Sequence, residues 1–190
     1  MDQEQVLQHA IEVLERQQIP YMLVGSIAGM AYSKPRMTLD IDIVLDLALT
    51  LVETFASEFP FERGYYCYAP AIEKAVRTRS PFNVIHLTSG QKLDFMPVRD
   101  DAFGRSELGR RRRIMLMPEL QGYAASPEDI VLGKLWYYSI GESEKHLEDI
   151  ASIWRITTLD MSYIEHWIQQ LGLEVAWSKL QAYAQRPKLD

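Results

Sequence analysis

Cysteine is almost missing: Cys67 is the single one in 190 residues. One thiol closes no internal disulfide and builds no cysteine-rich zinc site, and its scarcity fits a reducing, cytoplasmic setting. The histidines His9, His86, His146 and His166 are scattered. Neither H-E-x-x-H nor an H-x-E joined to C-x-x-C occurs, which argues against a zinc enzyme. No apolar run reaches the length of a bilayer span, so no membrane partner is expected. The opening MDQEQ has no basic n-region and no apolar h-region, unlike a secretory leader. Positive charge is also short: 20 Lys and Arg face 26 Asp and Glu, a net charge of −6. Such a chain is a poor generic nucleic-acid binder, and only a local basic patch would grip a phosphate backbone. Repeats and low-complexity tracts are absent.

What is present reads as an ordinary globular chain. Apolar residues make up 47% and charged residues 24%, enough for a real core with little disorder. Val6, Leu7, Ala10, Ile11 and Leu14 recur at helical spacing, and Pro20 stops that helix. Tyr21 to Val24 reads as a short strand ended by Gly25, with Ser26 as N-cap of a helix from about Ile27 to Tyr32. Asp40 to Leu45 is β-rich, Leu47 to Phe59 is an amphipathic helix, and Tyr65 to Tyr68 and Ala71 to Val76 are a short strand and a short helix. Phe82 to Leu87 and Lys92 to Met96 flank Thr88-Ser89-Gly90, a hairpin pattern. A helix over Asp101 to Leu108 precedes the run Arg110 to Arg113, then β-like pieces at Ile114 to Met117 and Gln121 to Ala124. The run reads as a solvated connector, or as a grip on phosphates. Ser126-Pro127-Glu128-Asp129 is a strong helix start. Four helices follow: Pro127 to Ser139, Ser143 to Trp154, Met161 to Leu171 and Glu174 to Ala184. Trp136, Tyr137, Tyr138, Trp154, Trp167 and Trp177 read as helix-packing core. The expected organisation is an α/β part over residues 1–125 and a helical region over 126–190 packed on it.

The acids need a reason. Alternation puts Asp40 and Asp42 on one face of their strand, between Ile41, Ile43 and Val44. Two carboxylates so close repel unless something positive lies between them. A divalent metal answers that need, and Mg²⁺ takes one or two carboxylates plus substrate phosphates. Asp94, between Leu93 and Phe95, joins them if the two strands are neighbours. On its own an Asp-x-Asp is more often a solvated face. The apolar setting, and a Gly25-Ser26 turn suited to phosphate at a helix start, shift the balance toward a site.

Gly25-Ser26, Asp40-x-Asp42 and an isolated Asp94 together resemble the polymerase-beta-type nucleotidyltransferase superfamily. Arg36-x-Thr38-x-Asp40-x-Asp42 is similar to a bacterial branch, that of abortive-infection toxins of type IV toxin–antitoxin systems and their uncharacterised relatives. So are the helix start at Ser126, Lys134, Lys145 and Asp149. His146 stands where toxin relatives often have an acid. The resemblance spans roughly Tyr21 to Trp154. It implies an α/β fold with a short mixed sheet and a C-terminal helical bundle. It also implies transfer of a nucleoside monophosphate from an NTP, ATP among them, to an RNA (tRNA included), protein or small-molecule acceptor. Two Mg²⁺ ions would be held by Asp40, Asp42 and Asp94. Gly25, Ser26, Arg36, Thr38, Lys134 and Asp149 would line the nucleotide. The alternatives it leaves are a catalytically silent nucleotide- or RNA-binding member, and a toxin-like component with an antitoxin partner. A phosphohydrolase using the same acids is a further rival.

Overall fold

A computed structural model describes residues 1–33, 38, 40–117 and 119–184, and these fall into two compact units: Met1–Ala28 with Met37–Ala125, and Gly29–Arg36 with Ser126–Asp190. The first unit opens with helix α1 (Gln3–Arg16). The Asp2 carboxylate accepts the Gln5 backbone N–H at 2.9 Å, and the Gln5 side chain accepts the Asp2 N–H at 3.0 Å. This reciprocal cap satisfies two donors that a helix start otherwise leaves open. Val6, Leu7, Ala10, Ile11 and Leu14 are buried, as their spacing requires.

Strand β1 (Tyr21–Leu23), helix α2 (Gly25–Met30) and strand β2 (Ile41–Leu45) follow. Ser26 therefore lies inside α2 and not at its cap: the chain already turns at Gly25, whose φ of +63° is open to glycine at little cost. The helix expected from Leu47 begins later, as a 3-10 turn (Leu49–Leu51) and α3 (Val52–Ser57). The Asp46 N–H bonds the Pro20 carbonyl at 2.8 Å, which keeps the chain extended past the end of β2.

Next come β3 (Tyr65–Tyr66), α4 (Ala69–Thr78), the hairpin β4 (Phe82–His86) and β5 (Gln91–Pro97), α5 (Ala102–Arg110), β6 (Arg112–Met117) and β7 (Leu120–Ala124). Among the described residues the strands make one seven-stranded sheet in the order β3-β4-β5-β2-β1-β7-β6. β2 runs parallel to β5 and β1 to β7, and the other pairs are antiparallel. The arginine run is not a loop: Arg110 ends α5, while Arg112 and Arg113 start the edge strand β6. An aromatic cluster fills the core on one side. Phe82 stacks on Phe95 at 5.2 Å, and Phe55 meets Phe95 edge-on at 5.4 Å. His86 belongs here too, buried against Tyr65 and hydrogen-bonded through Nδ1 to Ser89 Oγ at 2.7 Å.

The second unit holds α6 (Pro127–Gly141), α7 (Glu144–Ile156), α8 (Met161–Leu171) and α9 (Glu174–Ala184). Ser126 caps α6 by accepting the Asp129 N–H. The acids of this start are buried and engaged. Asp129 accepts the Tyr163 hydroxyl at 2.7 Å and the Ser126 hydroxyl at 2.6 Å, and Glu128 accepts the Asp160 N–H at 3.1 Å. They tie α6 to the start of α8, and buried carboxylates demand such partners. Trp154 stacks on Trp177 at 5.1 Å, and Tyr138 and Trp167 are buried as expected. Trp136 and Tyr137 are instead exposed. No described helix is long and apolar enough to cross a membrane.

Candidate functional site

β2 and β5 pair in parallel with Asp42 directly opposite Asp94. Side chains opposite each other in neighbouring strands leave the same face, so these two carboxylates stand side by side. Asp40 sits just before β2, exposed, on the same face by alternation. The sheet order brings the turn after β1 to this place as well. Leu23 pairs with Ile43, and the Val24 N–H bonds the Asp42 carbonyl at 2.9 Å. Gly25 then comes under the Asp42 side chain. A Cβ added to Gly25 would lie 2.2 Å from Asp42 Oδ2, so the carboxylate occupies the space that the missing side chain leaves.

Asp94 is held from two sides. Asn83, its cross-strand partner on β4, donates through Nδ2 to Oδ1 at 2.7 Å, and Lys92 Nζ lies 2.7 Å from Oδ2. The Lys92 ammonium is held above its ordinary pKa, first by that hydrogen bond and, against a desolvation cost, by the charges of Asp94, Asp40 and Asp42. One cation thus feels all three acids, which marks the place as one of strong negative potential. Sequence reasoning missed Asn83 and Lys92. Lys92 had a signal, since it stands two residues before Asp94 on the same strand face. Asn83 had one only once the hairpin register was fixed by the turn between His86 and Gln91.

Ser26 lies in the first turn of α2. Thr38 is tied through its carbonyl to Gln3 Nε2 at 2.9 Å. Arg36 lies outside the described residues. The first unit therefore brings together Asp40, Asp42, Asp94, Gly25 and Ser26.

Lys134 and Asp149 belong to the second unit. They form an ion pair of 2.7 Å with side chains 9% and 18% exposed, so Asp149 pairs across helices with Lys134. His146 stacks on Tyr137 at 6.1 Å; burial, helped by the Lys134 charge, pulls its imidazole below the usual pKa range. Breaking a pair this enclosed leaves the remaining charge without its counterion, at roughly 3 kcal/mol. Lys134→Ala is expected to lose about that much stability, and Lys134→Met/Asp149→Leu to recover most of it. Urea denaturation of the three proteins checks both.

Among the described residues, no three His, Cys, Asp or Glu side chains are grouped closely enough to hold a metal ion. The donor set nevertheless fits a hard divalent cation in kind. It consists of carboxylate oxygens, two of its members are in register, and it already draws a lysine ammonium.

Solved structures share this architecture. The antibiotic-resistance factor ANT(2")-Ia in complex with adenylyl-2"-tobramycin matches over 94% of this chain and 97% of its own, with a TM-score of 0.53 and 12% identity. The lincosamide antibiotic adenylyltransferase LnuA, lincomycin-bound, matches over 81% of this chain and 98% of its own, with a TM-score of 0.53 and 17% identity. An antigenic nucleotidyltransferase-like protein from Paracoccidioides brasiliensis matches over 94% and 91%, with a TM-score of 0.55 and 17% identity. No family model and no curated protein sequence matches the chain. At these identities the likeness speaks for the fold, and it agrees with the resemblance read from Gly25-Ser26, Asp40-x-Asp42 and Asp94: the chain has the fold of the polymerase-beta-type nucleotidyltransferases.

Proposed function

We propose that this chain is a nucleotidyltransferase that moves a nucleoside monophosphate from an NTP to a hydroxyl of a small-molecule acceptor. The observation behind it is the in-register pair Asp42 and Asp94 beside the Gly25 turn, on a nucleotidyltransferase fold. The small-molecule acceptor is favoured over RNA or protein because two of the similar structures hold an antibiotic or its adenylyl adduct.

In the transfer, the acceptor oxygen bonds the α-phosphorus as the bond to the bridging oxygen breaks, and pyrophosphate leaves with the electron pair. Asp40, Asp42 and Asp94 would hold divalent ions, two Mg²⁺ in the full site. Such ions neutralise charge on the attacking and leaving oxygens. Asp94 would take the acceptor's proton, and the Asn83 amide holds its carboxylate. Gly25 leaves room for the Asp42 carboxylate, and the N–H groups at the start of α2, with Ser26, would suit the β- and γ-phosphates. Lys134 would offset phosphate charge as a point charge, with Asp149 holding it in place. Thr38 and Arg36 complete the proposed nucleotide lining.

The test is pyrophosphate release and product mass, with each NTP in turn, Mg²⁺, and a panel of hydroxyl-bearing acceptors that includes lincomycin, tobramycin and an RNA. Release that requires NTP, metal and a small acceptor is the expected result. Nucleotide hydrolysis that needs no acceptor would instead identify a phosphohydrolase. Binding of NTP separates the roles of the lysine: Lys134→Met/Asp149→Leu should stay folded yet bind NTP at least about 10-fold more weakly, the scale of one lost charge-assisted contact. Unchanged calorimetric affinity would remove Lys134 from the nucleotide site.

A further inference from the structure

A concave feature lies in the first unit, away from the acids. It is a cleft of about 300 Å³ between the end of α1, the start of β1 and the outer strands β6 and β7. Glu15, Tyr21, Arg111, Arg113 and Tyr123 line it. Tyr21 begins β1 whereas Gly25 follows its end, so the cleft and the acid site lie at opposite ends of one strand.

The cleft is organised around one ring. Arg113 is the cross-strand partner of Tyr123, and Arg111 lies two residues earlier on the same side. Their guanidinium carbons sit 5.6 Å and 4.9 Å from the Tyr123 ring centroid. Tyr21 closes the arrangement edge-on at 5.8 Å, and its hydroxyl accepts the Tyr123 N–H and donates to Glu15. Burial, the largest influence, raises the Tyr21 phenol, which keeps it a donor. Glu15 also pairs with Arg113 at 3.2 Å. Two guanidinium groups thus face one carboxylate, an excess of positive charge inside a chain of net charge −6.

Arg111 is the member left over. Its Nη1 donates to the Leu108 carbonyl at 2.6 Å, which fixes the head group. Its Nε is buried and meets no acceptor among the described residues. A guanidinium held by an aromatic face and a carbonyl, beside the Arg113 guanidinium on the same ring, suits the oxygens of a phosphate group. Because the fork is already fixed, little ordering remains to oppose binding.

We infer that this cleft is a phosphate-binding site, separate from the acid site and independent of the proposed transfer reaction. Its ligand is a phosphate group, whether of free pyrophosphate or of the phosphodiester backbone of an RNA strand. Two arms distinguish these sources, both run in EDTA so that no divalent ion bridges an anion to Asp40, Asp42 or Asp94. One is calorimetry with pyrophosphate; the other is fluorescence anisotropy with a short labelled oligouridylate at low salt. Saturable binding in the first arm assigns a free anion, and binding in the second arm alone assigns a strand backbone. In either case Arg111→Ala should weaken the affinity about 10-fold or more, and Glu15→Gln, which removes the competing charge, should tighten it several-fold. A gain of affinity cannot come from misfolding, so Glu15→Gln decides alone if circular dichroism shows that Arg111→Ala unfolds. No binding in either arm, or affinities that the deciding variants leave unchanged, overturns the site.

Discussion

Asp40→Asn/Asp42→Asn should lose nucleotidyl transfer by about 10³-fold or more, because several kcal/mol of charge stabilisation at the reacting phosphoryl group go with the carboxylates. It should nevertheless melt at the wild-type temperature or above. Asp42 stands in register with Asp94, and both raise the pKa of Lys92 together with Asp40, so the folded protein gathers negative charge there at a cost. Asparagine keeps the shape and removes two of the three charges. Steady-state pyrophosphate release and thermal melting are the measurements. Transfer within tenfold of wild type would remove the acids from the chemistry. A clear fall in melting temperature would make them structural groups instead. The same variant should lose NTP binding that depends on Mg²⁺, which calorimetry reads without turnover.

Why the shared face of those acids was legible in the sequence, and the contacts of Asn83 and Lys92 were not, follows from the range of each signal. Alternation within a strand is local: Asp40 and Asp42 share a face whatever the rest of the chain does. That Asp94 joins them depends on β5 lying next to β2, a parallel pairing across half the unit that no short window contains. Asn83 and Lys92 acquire meaning only after that pairing and the hairpin register exist. The arginine run had the opposite fate. Its charge was obvious, but its setting turned on Tyr123, ten residues away and brought opposite Arg113 by β7. Helix spacing located α6 and α7 well. It could not tell that Trp136 and Tyr137 point outward, because an almost wholly apolar helix gives periodicity little to distinguish. Ser26 shows a smaller failure. Serine before an apolar run is a good cap signal, yet Gly25 starts the turn one residue sooner.

Gly25→Ala tests the part of the site that depends on the absence of a side chain. Alanine at φ +63° costs about 1 kcal/mol for backbone alone. The added Cβ would also stand 2.2 Å from Asp42 Oδ2 and 3.0 Å from its Cγ, so the carboxylate must swing away. Since Oδ2 ends a flexible side chain, that motion should add modestly to the stability loss. Its effect on transfer should be far larger: a displacement of about 1 Å at a reacting centre is worth roughly 10²-fold in rate. A double-mutant cycle separates the two contributions. In an Asp42→Ala background the clash with Oδ2 and Cγ is gone, and Gly25→Ala keeps its backbone cost and the 3.3 Å contact with the Cβ at position 42. Denaturation of the four proteins should therefore show Gly25→Ala costing more beside Asp42 than beside Ala, by over about 0.5 kcal/mol, the usual margin for sites that touch. Equal costs in both backgrounds would mean that Gly25 serves the turn alone, and that the Asp42 carboxylate owes its position to β2 and β5 and not to the glycine.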